Sequence, residues 1–393
     1  MRALDSRPEQ TGADGEKIGP LAKALYLLAT IQIAWYYLRY VPSYMYLYRY
    51  ENGADRMPFQ GRVMMMFALR WAHSSTVCIA LASGLKRFAP WVLRRITPES
   101  VLLMCIYTGC IVVTGIVIMR IYRAASRERL LTVWIYPIVL ILCVAAYILH
   151  ATQNLGYYYD FPSLMFFSVG LYLIYFRRHP ALFAGWFLLG TINRETTLML
   201  LLFFVLARTV ENGRVDWRRL KDLRTWAIVL PLALTWLAWH QWVDWVFRAN
   251  PTELSYRFLI NTGLVLFPLC WPQLFSAGCY MFPAIFLLRR SVRDATLRVW
   301  LWTLPAWFGL MFAYGIFIET RIFGELTAYL ACLTALIAEE SVVETLKKRG
   351  WSDVRSSQRP AAPKLALAVQ CEARHEFSDS EAFREAMQSV PKL

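Results

Sequence analysis

Runs of about 20 largely apolar residues recur along the chain, and they dictate most of what it can fold into. Twenty helical residues at about 1.5 Å each cover roughly 30 Å of hydrocarbon. Inside a bilayer only helices or closed barrels satisfy every backbone group. The candidate spans are 21–41, 99–119, 131–149, 161–176, 180–192, 195–208, 225–246, 263–288, 299–318 and 322–340. The expected fold is therefore all-α: a polytopic transmembrane helical protein with about ten spans. The first apolar segment runs into "YYLRYVPSYMYLYRY", which lacks the small residues of a cleavage site. It reads as a retained helix rather than a cleaved signal.

Charge orients the spans. The net charge of +15 would suit nucleic acid in a soluble protein, but here basic cytoplasmic loops and anionic lipid account for it. Basic clusters fall at 120–129, at Arg177 and Arg178, at 208–224 and at 289–298. All four lie inside if the N-terminus is cytoplasmic and the apolar stretch 61–83 does not cross. That stretch carries Arg70, His73, Ser74, Ser75 and Thr76 in its middle. It reads as one helix lying on the outer membrane surface, which leaves Lys86, Arg87, Arg94 and Arg95 outside. The resulting plan has a cytoplasmic segment at 1–20, a transmembrane domain at 21–345 with a large first outer loop at 42–98, and a polar, disordered cytoplasmic tail at 346–393. The 8 cysteines are scattered without a CxxC pair, so no disulfide or metal framework is expected and the thiols read as buried and inert.

Against this apolar background, "GTINRETTLML" at 190–200 stands out. A charge at bilayer depth costs about 2.5–3.5 kcal/mol on insertion scales. Arg194 and Glu195 are adjacent, and adjacent residues on a helix point in different directions. Each therefore needs a partner from elsewhere. The segment reads as a short hairpin with "NRET" at its outward turn, an interruption tolerated where it lines a cavity.

The same topology puts three more charged groups outside: Glu51, Asp55 and Arg62 in "YRYENGADRMPFQGRV", Asp160 in "GYYYDFPSL", and Glu319, Arg321 and Glu325 in "IETRIFGE". Each has a plain structural reading. Asp160 would cap a helix, as would Asn193 or Thr196 at the second hairpin limb. Arg321 and Glu325 would pair along one helix face. Glu51, Asp55 and Arg62 would be solvated loop residues. The functional reading assigns Arg62, Arg194 and Arg321 to a phosphate or diphosphate, which guanidinium matches bidentately. Carboxylates would deprotonate a hydroxyl or hold a divalent cation. Tyrosines at the outer edges would stack on sugars or form an ordinary aromatic belt.

"PFQGRV", "YYDFPSL", "LLGTINRETTL" and "ETRIFGE" resemble motifs of a group of bacterial membrane proteins related to the GT-C superfamily, polytopic glycosyltransferases that use lipid-phosphate-linked sugars. The resemblance covers about residues 20–340. It implies a GT-C-like fold, a multi-pass protein of the bacterial inner membrane, and a catalytic carboxylate in the first outer loop, here Glu51 or Asp55. The adjacent acidic pair of better-known members is absent. The expected activity is transfer of a sugar from a polyprenyl-phosphate donor to a hydroxyl of a glycan or lipid acceptor, with membrane lipid and no nucleic acid as further partners. Glu51, Asp55, Asp160 and Glu195 are the catalytic candidates. Arg62, Asn193, Arg194, Glu319, Arg321 and Glu325 are the substrate-binding ones. A transporter or flippase of an anionic or lipid-linked substrate, or a non-catalytic assembly subunit, are the rival readings. The charged groups are expected to converge on one outward-facing cavity.

Overall fold

The computed structural model describes residues 18–348, apart from 94, 150–154 and 254–255. The helices are α1 (Pro20–Tyr40), α2 (Leu47–Glu51), α3 (Val63–Ser74), α4 (Thr76–Phe88), α5 (Pro90–Leu93), α6 (Pro98–Ala125), α7 (Ile135–Tyr147), α8 (Asp160–Tyr175) and α9 (Pro180–Asn193). They continue as α10 (Met199–Arg208), α11 (Leu223–Val246), α12 (Phe258–Leu266), α13 (Trp271–Ser276), α14 (Met281–Leu287), α15 (Ala295–Val299), α16 (Thr303–Tyr314) and α17 (Thr327–Lys348). A small antiparallel ribbon, Val210–Glu211 with Arg214–Val215, turns through Asn212 and Gly213, both at positive φ. Apart from that ribbon the described residues are all-α, as the long apolar runs lead one to expect.

Among the described residues, three helical stretches are long and apolar enough to cross a membrane: Pro20–Tyr40, Pro98–Ala125 and Thr320–Lys348. Two bent pairs raise the number to five if each is one span. Several expected spans are shorter or broken, because local chemistry interrupts them. The stretch 61–83, expected as one surface-lying helix and not as a span, is two helices bent by 70°. Ser75 sits in extended backbone and its side chain accepts a hydrogen bond from the Cys78 N–H, ending α3 and capping α4. Residues 263–288 break at Pro268 and again at Gly278, Cys279 and Tyr280, all at positive φ. The cytoplasmic segment at 1–20 and the tail at 346–393 lie outside the described residues, save 18–20 and 346–348. Up to Glu340 the described residues belong to one unit; Ser341–Lys348 fall in a second.

The core of the first unit is built on α6, α7 and α8. Their approach relies on glycine. A Cβ on Gly115 of α6 would overlap the Tyr136 ring on α7. A Cβ on Gly324, just before α17, would run into the ring and hydroxyl of Tyr147. The Tyr147 ring packs 5.0 Å from Phe161 and edge-on to Tyr37 at 6.2 Å. A Gly324→Ala variant must therefore push a rigid aromatic into a full core. We expect it to cost about 1–3 kcal/mol, the usual range for overpacking. Its melting temperature in detergent, measured beside an Ala substitution at Gly309, where a Cβ meets open space, checks this.

Candidate functional site

The hairpin forms because the chain leaves helical geometry at one residue. Arg194 is extended (φ −161°, ψ 144°), between the end of α9 and a 3-10 turn at Glu195–Leu198. Thr197 fixes the turn by donating its hydroxyl to the Arg194 carbonyl at 2.9 Å. This break sends Arg194 and Glu195 to different partners, as adjacency demands. Arg194 is 5% exposed, and its Nη1 lies 3.0 Å from Glu325 Oε1 and 3.7 Å from Asp160 Oδ1. Glu195, more than a third exposed at its side chain, takes Nε and Nη2 of Arg62 in a two-pronged pair.

Arg62, Glu319 and Arg321 join this cluster through the "GYYYD" segment. The Arg62 guanidinium lies 4.2 Å from the centre of the Tyr159 ring, and that of Arg194 5.6 Å from it. Arg321 stacks at 3.9 Å on Tyr157, whose ring is 5.4 Å from that of Tyr159. Cation–π contacts of this kind contribute about 0.5–2 kcal/mol, more when desolvated. Arg321 is also ion-paired to Glu319 at 2.6 Å. Thus three arginines from distant parts of the chain gather around two tyrosines. Tyr157 and Tyr159 are buried, so they are core side chains rather than belt residues. The groups pack against one another instead of ringing an open cavity, since opposite charges taken out of water draw together.

Several plain structural readings are corrected. Asp160 is the first residue of α8 and does not cap it; its Oδ2 accepts the Tyr37 hydroxyl at 2.7 Å. Asn193 donates to Ser163 at 2.8 Å and Thr196 donates to Glu325 at 2.7 Å, so neither caps the second limb. Arg321 and Glu325 do not pair, because the 3-10 turn at Thr320–Leu326 is tighter than an α-helix and sends them to Glu319 and Arg194. Glu51, Asp55 and Arg62 are 9%, 4% and 7% exposed, not solvated.

Glu51 and Asp55 lie in the segment between α1 and α3. Gly53, at φ 74°, makes the turn between them, and a Cβ there would crowd Phe247. Asn250 holds the loop by donating to the carbonyls of Gly53 and Asp55, at 2.9 and 2.7 Å. Arg56 pairs with Glu253, which also accepts the Tyr44 hydroxyl at 2.6 Å. Asp55 Oδ1 accepts the Arg56 N–H at 2.8 Å, while Oδ2 is buried without a partner. Burial pushes the Asp55 carboxyl above the ordinary carboxylate range, against the opposing pull of the Arg56 amide and charge. Burial likewise raises Glu51, reinforced by the nearby Glu99 charge. Both are stronger bases than a free carboxylate.

The site is not fully satisfied. Nε and Nη1 of Arg194, Nε of Arg321 and the Tyr159 hydroxyl are buried donors without an aligned acceptor. Oδ1 of Asp160 and Oε2 of Glu325 are buried acceptors without a donor. Sequence reasoning gave Tyr37 and Tyr159 only to sugar stacking or an aromatic belt, and gave Ser163 no role. The signal was there in part: three tyrosines directly before a buried aspartate. Compared with protein-family models, curated proteins and solved structures, the chain matches none of them.

Proposed function

We propose that this chain is a membrane glycosyltransferase of about ten spans and GT-C-like fold. It moves a sugar from a polyprenyl-phosphate-linked donor to a glycan or lipid acceptor at the outer face of the bacterial inner membrane. The observation that carries this reading is the set of buried donors without an aligned acceptor around Tyr157 and Tyr159. Unsatisfied buried donors are rare in folded proteins and need a reason. A phosphate or diphosphate, with several acceptor oxygens, supplies one. Arg62 and Arg321 are held by the two carboxylates at the cluster that retain exposure, Glu195 and Glu319. An arriving phosphate displaces these and takes the guanidinium forks. Arg194 meets it from below, with Glu325 and Asp160 keeping it in place.

In the reaction the acceptor oxygen bonds to the anomeric carbon as the carbon–oxygen bond to phosphate breaks. The lipid phosphate leaves with the electron pair, stabilised by the arginines. The acceptor proton passes to Asp55. Single in-line displacement inverts the anomeric centre.

Cell-free transfer from a labelled polyprenyl-phosphate sugar tests the reading. Membranes holding the protein should release labelled product. Arg62→Lys, which keeps the charge but loses the fork and the stacking, should cut the rate at least about 10-fold. Labelled donor that crosses sealed vesicles without transfer would overturn the enzyme reading in favour of a transporter. The 94° break in Phe258–Leu287 gives that second reading its support, since broken helices build transport sites.

A further inference from the structure

Three helices bring another set of chemistry-bearing groups together. α2 ends on Glu51, the last turn of α3 carries His73, and the first turn of α6 carries Glu99. Thr97 sets the third by capping α6, accepting the Ser100 N–H at 3.2 Å. One ligand atom from each of Glu51, His73 and Glu99 lies within 4.8 Å of the others. His73 Nδ1 and Glu99 Oε1 are 2.7 Å apart. Glu51 and Glu99 are 9% and 4% exposed, and Oε1 of Glu51 is buried with no hydrogen-bond partner. A buried carboxylate oxygen without a donor is costly unless positive charge is brought to it.

We propose that Glu51, His73 and Glu99 form a binding site for a divalent transition-metal ion, Zn2+ or Mn2+. One imidazole with two carboxylates suits these ions, whereas Mg2+ and Ca2+ favour all-oxygen ligand sets. Metal–ligand distances of about 2.0–2.2 Å place ligand atoms roughly 3–3.6 Å apart. Glu51 closes in and the His73–Glu99 pair opens slightly, changes within reach of side-chain rotation. The His73 side chain is 73% exposed, so the ion keeps positions open beyond its three protein ligands. That is the arrangement of a working site rather than a closed structural one. Arg70, whose Nε donates to the Glu51 carbonyl, is the competing cation. The site stands independently of the glycosyltransferase reading.

The test uses the tag-free full chain in detergent, stripped with chelator and titrated calorimetrically with Zn2+, Mn2+ or Mg2+ alone. Zn2+ or Mn2+ should bind saturably at one site and raise the melting temperature, and Mg2+ should not at the same concentration. His73→Ala, an exposed position, should fold as the wild type in chelator and bind the metal at least 10-fold more weakly. Glu99→Gln should do the same, and Glu211→Gln, at an exposed pair elsewhere, should bind as the wild type. Wild-type affinity in His73→Ala, or no saturable binding of either ion, overturns the proposal. Loss of transfer activity bears on neither outcome.

Discussion

Arg194→Ala is expected to lower stability by about 3–5 kcal/mol, because it leaves buried charges uncompensated. Glu325 and Asp160 are 2% and 0% exposed and are the carboxylates nearest Arg194. Removing the guanidinium strands both, and Asp160 keeps only the Tyr37 hydroxyl. Thermal melting in detergent measures the loss. The same variant should lose sugar transfer, which by itself does not separate a fallen fold from a missing ligand contact. Adding Glu325→Gln separates them. The second change removes one stranded charge and should restore a good part of the stability. Transfer should stay absent, because the phosphate has lost its guanidinium. If the double variant recovers transfer along with stability, Arg194 is a structural latch and the phosphate assignment falls.

Asp55→Asn should behave in the opposite way, losing function while gaining stability. General-base catalysis typically contributes about 10²–10⁴-fold, and the amide cannot accept the proton. The shape is preserved, and the bond from the Arg56 N–H to Oδ1 is kept. Burial raises the Asp55 carboxyl above its unfolded value of about 3.9. The sign follows directly. Both states are protonated in strong acid. As pH rises past about 3.9 the unfolded chain ionises first, so wild-type stability is lost until pH passes the raised folded value. Asn removes that loss. The variant should therefore melt higher than the wild type at pH 7, with the gap closing as pH falls towards 4. Melting curves across that range, with transfer assays at pH 7, check both parts. A variant that keeps wild-type transfer moves the base to Glu51.

The sequence by itself determined the helical class, because long apolar runs permit little else at bilayer depth. It also determined that Arg194 and Glu195 would part company, since adjacent side chains cannot face each other. It could not determine who pairs with whom. The i, i+4 spacing of Arg321 and Glu325 suggests a helix pair, but that rule assumes α-helical geometry, and the segment is a 3-10 turn. Asp160 looks like a cap in sequence, yet Tyr37, 123 positions away, claims its carboxylate. The tyrosines before it read as an aromatic belt or a platform for sugars, and only the fold packs distant arginines onto their faces. The breaks at Ser75 and Arg194 have a local cause instead. Ser75 and Arg194 leave helical backbone where a local hydroxyl offers the chain an alternative bond. Apolar pattern is a local property and survives in one dimension. Ion pairing, stacking and the approach of Glu51, His73 and Glu99 depend on which elements the fold brings together, and tertiary structure alone decides that.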